Sequence, residues 1–311
     1  MSRSRALLSP TTHLILVDSR GVERALPEVP GVEHRFVNAG GLSTHVAEAG
    51  SGPPLLLVHG WPQHWWMWRE LIGPLAESHR VICPDLRGFG WTAAPPGGYD
   101  PEVFAMDLIA LLDALRIEEP VDLAGHDWGG WTGFVLCLRH PERIRRFLAL
   151  NIYHPFIRPR PRGFLGLWRF WYQWVLGLPG IGPGVMRRSA AAQPILRWVG
   201  SRQAPWSEQE LQTYTDQFRE PERAQATTLL YRHAVLRLSP AVIRGLYRRL
   251  TMDAPTLLLF GSADHVQDER LLPGFERNAP NMTLELVQGS GHFIVEEEPE
   301  LVLECARELF A

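Results

Sequence analysis

The sequence predicts an α/β fold, in which a mostly parallel sheet is covered by helices on both faces and interrupted by a helical insertion. Three observations support this. Strand and helix signals alternate through the first half of the 311-residue chain, as in sheets built from strand–helix–strand units. The runs Leu55–Val58 and Thr256–Phe260 are continuously apolar, as expected for strands buried on both faces. From about residue 152 to 250 the strand signals stop, and Gly/Pro-rich connections separate helical segments.

Eight strands are predicted in the α/β part, with two helices between them. The strands are His34–Val37, Thr44–Ala47, Leu55–Val58, Val81–Cys83, Val121–Ala124, Phe147–Asn151, Thr256–Phe260 and Met282–Val287. A helix is expected over Val103–Leu115, because Asp100 is a suitable N-cap and Pro101 fits the first helical position. Another is expected to begin after Asp127 and to end near Arg139.

The insertion and the end of the chain carry their own helix signals. Ser207 and Glu210 have the spacing of a capping box, Pro221 is expected to open the next helix, and Glu300–Phe310 is amphipathic. We therefore expect a core of residues 1–151 and 251–311 and a helical cap of residues 152–250. Trp168, Trp171 and Trp174 recur on one side of a predicted helix. Core packing is the expected role of most of them, and a place in the wall of the substrate cavity is the alternative for one or two.

Composition narrows the function classes. Hydrophobic residues at 45% and charged residues at 21% are typical of a globular protein, and a net charge of −3 gives no electrostatic case for nucleic acid or anionic membranes. Three scattered cysteines exclude a disulfide framework, and no metal-ligand spacing occurs. The apolar run Leu14–Val17 is too short for a signal-peptide core or a membrane span. A cytoplasmic location without membrane insertion is expected, and a homo-oligomer is left open.

Asp127 lies where a strand signal gives way to a helix signal, in the run Gly125-His126-Asp127-Trp128-Gly129. Small residues two positions before and after it form the pattern of a nucleophile elbow, a sharp turn that exposes one side chain above a sheet. A carboxylate at this tip attacks carbon and forms an alkyl ester, whereas serine attacks acyl groups. The alternative is that Asp127 is only a helix N-cap.

Two further polar residues follow predicted strands and fit the roles of acid and base. Asp264 follows the Thr256–Phe260 strand, and His292 lies in a glycine-flanked loop after the Met282–Val287 strand. Both are expected at the carboxyl edge of the sheet, where such folds build their sites. The chain order nucleophile, acid, base is that of α/β-hydrolases.

The run His59-Gly60-Trp61-Pro62 ends another buried strand. The backbone N–H groups of Trp61 and Trp128 are expected to form an oxyanion hole, in which each donor is often worth about 3–4 kcal/mol. A simple strand-ending turn is the alternative for this run taken alone.

Together these segments resemble the α/β-hydrolase-fold epoxide hydrolases. His59-Gly60-Trp61-Pro62 is similar to that family's HGxP motif, and the run around Asp127 is similar to its aspartate elbow. The resemblance runs from about His34 to the C-terminus. It implies the α/β-hydrolase fold, an apolar epoxide and water as substrates, an ester on Asp127, and no cofactor or metal.

The resemblance also implies two cap tyrosines that protonate the epoxide oxygen. Two tyrosines fit these positions, Tyr172 and Tyr231, the second of which precedes Arg232. Tyr153 is the next candidate if one of them does not have this role. A tyrosine hydroxyl, with a pKa of about 10, stays protonated at neutral pH. Aromatic packing between cap and core is the alternative role. Trp61, Trp128 and Tyr153 are expected to contact the substrate.

Two other functions stay open. Haloalkane dehalogenases share the aspartate chemistry but commonly carry Asn after the His-Gly pair, where this chain has Trp61. Fluoroacetate dehalogenases usually carry Arg after the nucleophile, where this chain has Trp128. The more distant alternative is a non-catalytic ligand-binding protein on the same scaffold.

Overall fold

The computed structural model describes residues 15–17, 23–158, 168–200 and 206–311. The chain divides into two compact units, residues 1–30 and 31–311. In the first, strands β1 (Ile15–Val17) and β2 (Glu23–Ala25) pair antiparallel. The rest of that unit up to residue 22, including the basic stretch Met1 to Pro10, lies outside the described residues.

The second unit is built on an eight-stranded sheet. Its strands are β3 (Glu33–Ala39), β4 (Leu42–Ala49), β5 (Pro54–Val58), β6 (Arg80–Pro84), β7 (Val121–His126), β8 (Ile144–Leu150), β9 (Thr256–Gly261) and β10 (Met282–Val287). The order across the sheet is β10-β9-β8-β7-β5-β6-β4-β3. The six strands from β10 to β6 are parallel, and only β4 and β3 run antiparallel to their neighbours. All eight predicted strands are therefore confirmed, as is the mostly parallel sheet.

The core helices are α1 (Arg69–Ala76), α2 (Pro101–Ala114), α3 (Trp128–Arg139), α10 (Ile294–Glu297) and α11 (Pro299–Phe310). The Asp100 side chain caps α2 by accepting a hydrogen bond from the Val103 N–H at 3.1 Å, as predicted. Helix α1 has no counterpart in the sequence predictions, because Gly73 and Pro74 lie inside it and both are poor helix formers. Strands β5 and β7 are buried along their whole length, so both faces of the sheet centre are covered.

Between β8 and β9 the described residues contain helices and no strand. They form α4 (Trp171–Leu176), α5 (Ile181–Met186), α6 (Ser189–Val199), α7 (Glu208–Thr215), α8 (Pro221–His233) and α9 (Ser239–Ile243), and a π-helical turn at Ala234–Leu238 joins the last two. We call these elements the helical segment. The predicted capping box of Ser207 and Glu210 is present, and Pro221 opens α8.

The expected core packing of the tryptophans at 168, 171 and 174 is wrong. Their side chains are 65%, 41% and 59% exposed. The physical reason is that α4 buries the other side of its surface, where Tyr172 and Leu176 lie one turn apart. Across the described parts of the chain, no helix has the length and apolarity that crossing a membrane requires.

Candidate active site

The turn at Asp127 has the geometry of the predicted elbow. Asp127 follows β7 directly and precedes α3, with φ at +48°, a conformation that non-glycine residues rarely adopt outside functional turns. A Cβ on Gly129 would lie 2.2 Å from the Val58 carbonyl oxygen, and one on Gly125 would lie 2.6 Å from the Gly129 oxygen. All residues of this turn are described, and the Asp127 side chain makes no capping hydrogen bond to α3. The N-cap alternative therefore gains no support.

The turn after β5 lies against this elbow. The Trp61 N–H donates to Asp127 Oδ2 at 3.0 Å. His59 holds the turn, since its Nε2 accepts from the Leu86 N–H at 2.8 Å and its Nδ1 donates to the Gly60 carbonyl at 2.9 Å. Gly60 is required for the close approach, because a Cβ there would lie 2.5 Å from the Asp127 Cβ. One carboxylate oxygen of Asp127 is thus held by a backbone donor.

His292 lies between two carboxylates. Its Nδ1 is 2.8 Å from Asp264 Oδ2, and its Nε2 is 3.9 Å from Asp127 Oδ1. Asp264 is itself fixed, because its Oδ1 accepts from the N–H groups of Val266 at 2.7 Å and Gln267 at 3.0 Å. The three predicted residues from three separate strands therefore meet at one edge of the sheet.

Charge and burial act against each other in this group. Burial alone would lower the pKa of His292, but the Asp264 carboxylate, its hydrogen bond and the Asp127 charge raise that pKa to about 9. Burial would raise the pKa of Asp264, yet His292 and its hydrogen-bond donors hold it below the ordinary value. The pKa of Asp127 is raised by burial, and His292 and the N–H groups of Trp61 and Trp128 oppose that shift.

Asn151 is a buried member of the site for which the sequence analysis gave no role. It follows β8 with φ at +42°. Its Nδ2 donates to Asp264 Oδ2 and to the Gly291 carbonyl, both at 3.0 Å, and its Oδ1 accepts from the Gly261 N–H at 3.1 Å. One amide thus connects the acid with the loop that carries His292. Its place at the carboxyl end of a predicted strand was the signal that could have identified it.

Glu296 is a second residue that the sequence analysis missed. Its side chain is 1% exposed and lies on α10, four residues after His292. Oε1 accepts from Arg69 at 2.6 Å and Tyr214 at 2.7 Å, while Oε2 accepts from Gln63 at 2.5 Å and Trp206 at 2.6 Å. This carboxylate connects the segment that follows His292 with the turn at Trp61 and with the helical segment. No sequence motif marks it, because its four donors come from two stretches, 63–69 and 206–214, that are distant in the chain.

The predicted tyrosines lie beside the elbow. The ring centroids of Tyr172 and Tyr231 are 5.6 Å apart, and Tyr231 is 5.1 Å from Trp61 and 6.2 Å from Trp128. Both are buried. Burial raises the pKa of each hydroxyl above its ordinary value, and the Asp127 carboxylate raises both further. Both side chains are therefore held protonated within electrostatic reach of the elbow.

A cavity of about 410 Å³ opens above Asp127. Trp128, Tyr153 and Tyr172 line it, together with apolar side chains of the helical segment such as Val235 and Leu238. Tyr153 stacks on Phe260, and its hydroxyl accepts from the Asp268 N–H. Trp61 lies beside Tyr172 and Tyr231, and its indole N–H donates to Thr227 at 3.2 Å. The site can therefore hold an apolar molecule against a carboxylate.

Comparison with known proteins places this geometry in a family. A family model of the alpha/beta hydrolase fold matches residues 53–299. The chain belongs to the α/β-hydrolase fold family. The mostly parallel eight-stranded sheet is thus the sheet of this fold.

Individual relatives in this family have different activities. The chain is 28% identical to a soluble epoxide hydrolase of Corynebacterium sp. strain C12, over 90% of this chain and 98% of that one. It is also 28% identical to a fluoroacetate dehalogenase of Burkholderia sp., over 90% and 94% of the two chains. Among solved structures, epoxide hydrolase CorEH without ligand matches with a TM-score of 0.76 and 27% identity, covering 90% of this chain and 98% of that one.

Proposed function

We propose that the chain is an epoxide hydrolase that converts an apolar epoxide and water to a vicinal diol through an ester on Asp127. The observation that carries the proposal is the pair of buried tyrosines, Tyr172 and Tyr231, each a hydroxyl donor, that lie together beside the elbow. Ring opening generates an alkoxide, which needs such a donor, whereas a halide leaving group does not. The epoxide hydrolases among the relatives support the same assignment.

In the proposed first step, Asp127 attacks one ring carbon. The Trp61 N–H holds Oδ2, so Oδ1 is the attacking oxygen. The carbon–oxygen bond of the ring breaks as the new ester bond forms, and Tyr172 and Tyr231 hydrogen-bond the departing oxygen while one of them gives it a proton. The helical segment, as a cap over residues 152–250, supplies this acid.

The charge change in the first step prepares the second. In the resting site the Asp127 charge helps to raise the pKa of His292 to about 9, so the imidazole is protonated at neutral pH. The ester is neutral, and its formation removes that contribution. His292 can then pass its proton to the tyrosinate and act as a base at the moment when a base is required.

In the second step His292, oriented by Asp264, takes a proton from water, and the hydroxide attacks the ester carbonyl carbon. The N–H groups of Trp61 and Trp128 stabilise the oxyanion. The expelled alkoxide takes the proton of the new carboxyl group. The site then holds ionised Asp127 and protonated His292, as at the start, and the diol leaves.

A dehalogenase is the second candidate, because the fluoroacetate dehalogenase relative matches nearly the whole chain. Trp61 and Trp128 occupy the positions of the halide-binding Asn and carboxylate-binding Arg of the dehalogenases, and this favours the epoxide.

The direct test is a panel of apolar epoxides assayed for diol, beside bromoalkanes and fluoroacetate assayed for halide release. We expect diol formation by the native protein and none by Asp127→Asn, which should remain folded by circular dichroism. Halide release without diol would favour the dehalogenase. Thermal stabilisation by epoxides without turnover would indicate a binding protein and contradict the proposal.

A further inference from the structure

The outer face of the helical segment carries an unusual concentration of exposed apolar side chains. Of the eleven large hydrophobic residues that are exposed in the described parts of the chain, eight lie between residues 168 and 246. They are Trp168, Trp171, Trp174, Leu178, Ile181, Leu236, Ile243 and Leu246. A set of this kind on one inserted segment usually marks a surface with a partner. We call these eight residues the apolar rim.

The apolar rim reaches the active-site cavity through two of its residues. Trp174 of α4 and Ile243 of α9 are exposed and also line the cavity. Trp171 and Trp174 are three residues apart on α4 and share its outer side. Trp168 and Trp171 both contact the ring of Trp198 on α6. A flat apolar object in contact with Trp174 and Ile243 would therefore lie against side chains that line the cavity.

Along the sequence, the two stretches that carry the apolar rim contain arginines and no acidic residue, although Arg197 of the first stretch pairs with Glu208 just beyond it. The sequence from residue 168 to 207 has five arginines and no acidic residue, and the sequence from 224 to 252 again has five arginines and no acidic residue. The first group is Arg169, Arg187, Arg188, Arg197 and Arg202, and the second is Arg232, Arg237, Arg244, Arg248 and Arg249. Arg187 and Arg188 are exposed and follow directly on α5, which begins at Ile181. The net charge of −3 for the whole chain conceals this local excess.

We propose that the apolar rim and its arginines dock the protein on an anionic lipid surface, with the cavity mouth against the bilayer. Tryptophan side chains prefer the interface between headgroups and acyl chains, and arginines bind anionic headgroups. A basic face with exposed aromatic residues is the pattern of proteins that lie on a membrane. This docking is peripheral and needs no spanning helix.

Docking on a membrane also implies a substrate class, and this implication rests on the proposed function. An apolar epoxide concentrates in a bilayer, and a docked mouth admits it into the 410 Å³ cavity without passage through water. The preferred substrates are then epoxides that partition into lipid, such as long-chain alkyl epoxides. Short, water-soluble epoxides would be hydrolysed equally well with or without vesicles.

The test is vesicle flotation of the full chain without substrate, using phosphatidylcholine alone and phosphatidylcholine with phosphatidylglycerol. We expect binding to the anionic vesicles, weakened by salt, with a blue shift of tryptophan emission. Arg187→Glu combined with Arg188→Glu should weaken binding by about tenfold or more, and Trp168→Ser should weaken it too. The matched controls are Arg277→Glu and Met106→Ser, which change an exposed arginine and an exposed apolar residue outside the helical segment.

Three results would overturn the docking proposal. The first is equal binding, or none, to the two kinds of vesicle, and the second is an equal loss of binding in the test and control variants. The third is a dimer in solution, measured by light scattering, that Trp168→Ser dissociates, since the apolar rim would then bind a second copy of the chain. Hydrolysis of a water-soluble epoxide in the absence of lipid reports on the proposed function separately. The protein can thus hydrolyse the soluble epoxide without binding vesicles, or bind vesicles without hydrolysing the epoxide, and the two proposals fail separately.

Discussion

The Nε2 atom of His292 lies 3.9 Å from Oδ1 of Asp127. This separation exceeds hydrogen-bond range, so the imidazole is not committed to the carboxylate. The distance is nonetheless short enough for each charged group to shift the pKa of the other. The Asp127 carboxylate raises the pKa of His292, and His292 opposes the rise in the pKa of Asp127. The proposed nucleophile and the proposed base are therefore coupled through charge, and their coupling can be measured.

Asp127→Asn should lower the pKa of His292 from its value of about 9. The substitution removes the carboxylate charge, as ester formation would, while the contribution of Asp264 remains. The pKa is read from the imidazole ¹⁵N shifts in an NMR titration. Asp253→Asn, which neutralises an exposed carboxylate outside the site, is the matched control and should leave it unchanged. An unchanged or higher pKa in Asp127→Asn would contradict the coupling.

Tyr231→Phe should slow ester formation by about 10²-fold or more, because a general acid typically contributes that much. Hydrolysis of the ester should change much less. Single-turnover kinetics followed by tryptophan fluorescence separate the two rates. The control is Tyr99→Phe, which removes a hydroxyl that bonds the Pro95 carbonyl. Equal losses in both steps would exclude Tyr231 as the acid.

Asn151→Ala should impair the second step and leave the first nearly intact. Loss of the amide removes a donor that lowers the pKa of Asp264 and frees the loop that it ties through Gly291. The pKa of Asp264 should rise, and the acid limb of the ester-hydrolysis pH profile should move upward. Asn151→Gly, which keeps the positive φ accessible, should behave like Asn151→Ala. Activity restored by glycine would show that the backbone, and not the amide, is what matters.

Glu296→Gln should destabilise the fold by about 3–5 kcal/mol, the typical effect of breaking a buried ion pair. The NH₂ group of the glutamine would lie against a hydrogen-bond donor, where a carboxylate oxygen now accepts. Arg69 would also lose the nearest of its acidic partners. Urea denaturation measures the change in the free energy of unfolding. Glu300→Gln, an exposed residue on the adjoining helix, should have almost no effect. A loss below about 1 kcal/mol would contradict the role assigned to this carboxylate.

The fold could be predicted from local signals because most of its strands are strongly apolar and regularly spaced. A continuously apolar run such as Leu55–Val58 indicates a strand buried on both faces. The polar residue that follows the end of such a strand is then a candidate for the site. Asp127, Asp264 and His292 could be located in this way, since each follows a strand at the same sheet edge.

What escaped prediction depends on contacts between distant residues. Glu296 is recognisable only through four donors that the fold brings together. The position of Asn151 after a strand could have marked it as a candidate, but its links to Asp264 and Gly291 are visible only in the fold. The outward side of α4 was wrongly expected to be buried, because three tryptophans suggest a core when the sequence is considered alone. Burial is decided by the neighbouring helices, which a local pattern does not contain.

The ester on Asp127 can be tested by a single turnover in ¹⁸O-labelled water with enzyme in excess over an epoxide substrate. We expect the label to enter the Asp127 carboxylate, located by mass spectrometry of the peptide, and the first diol released to be unlabelled. Label in the diol after that first turnover, with none on Asp127, would show direct attack by water and contradict the ester mechanism.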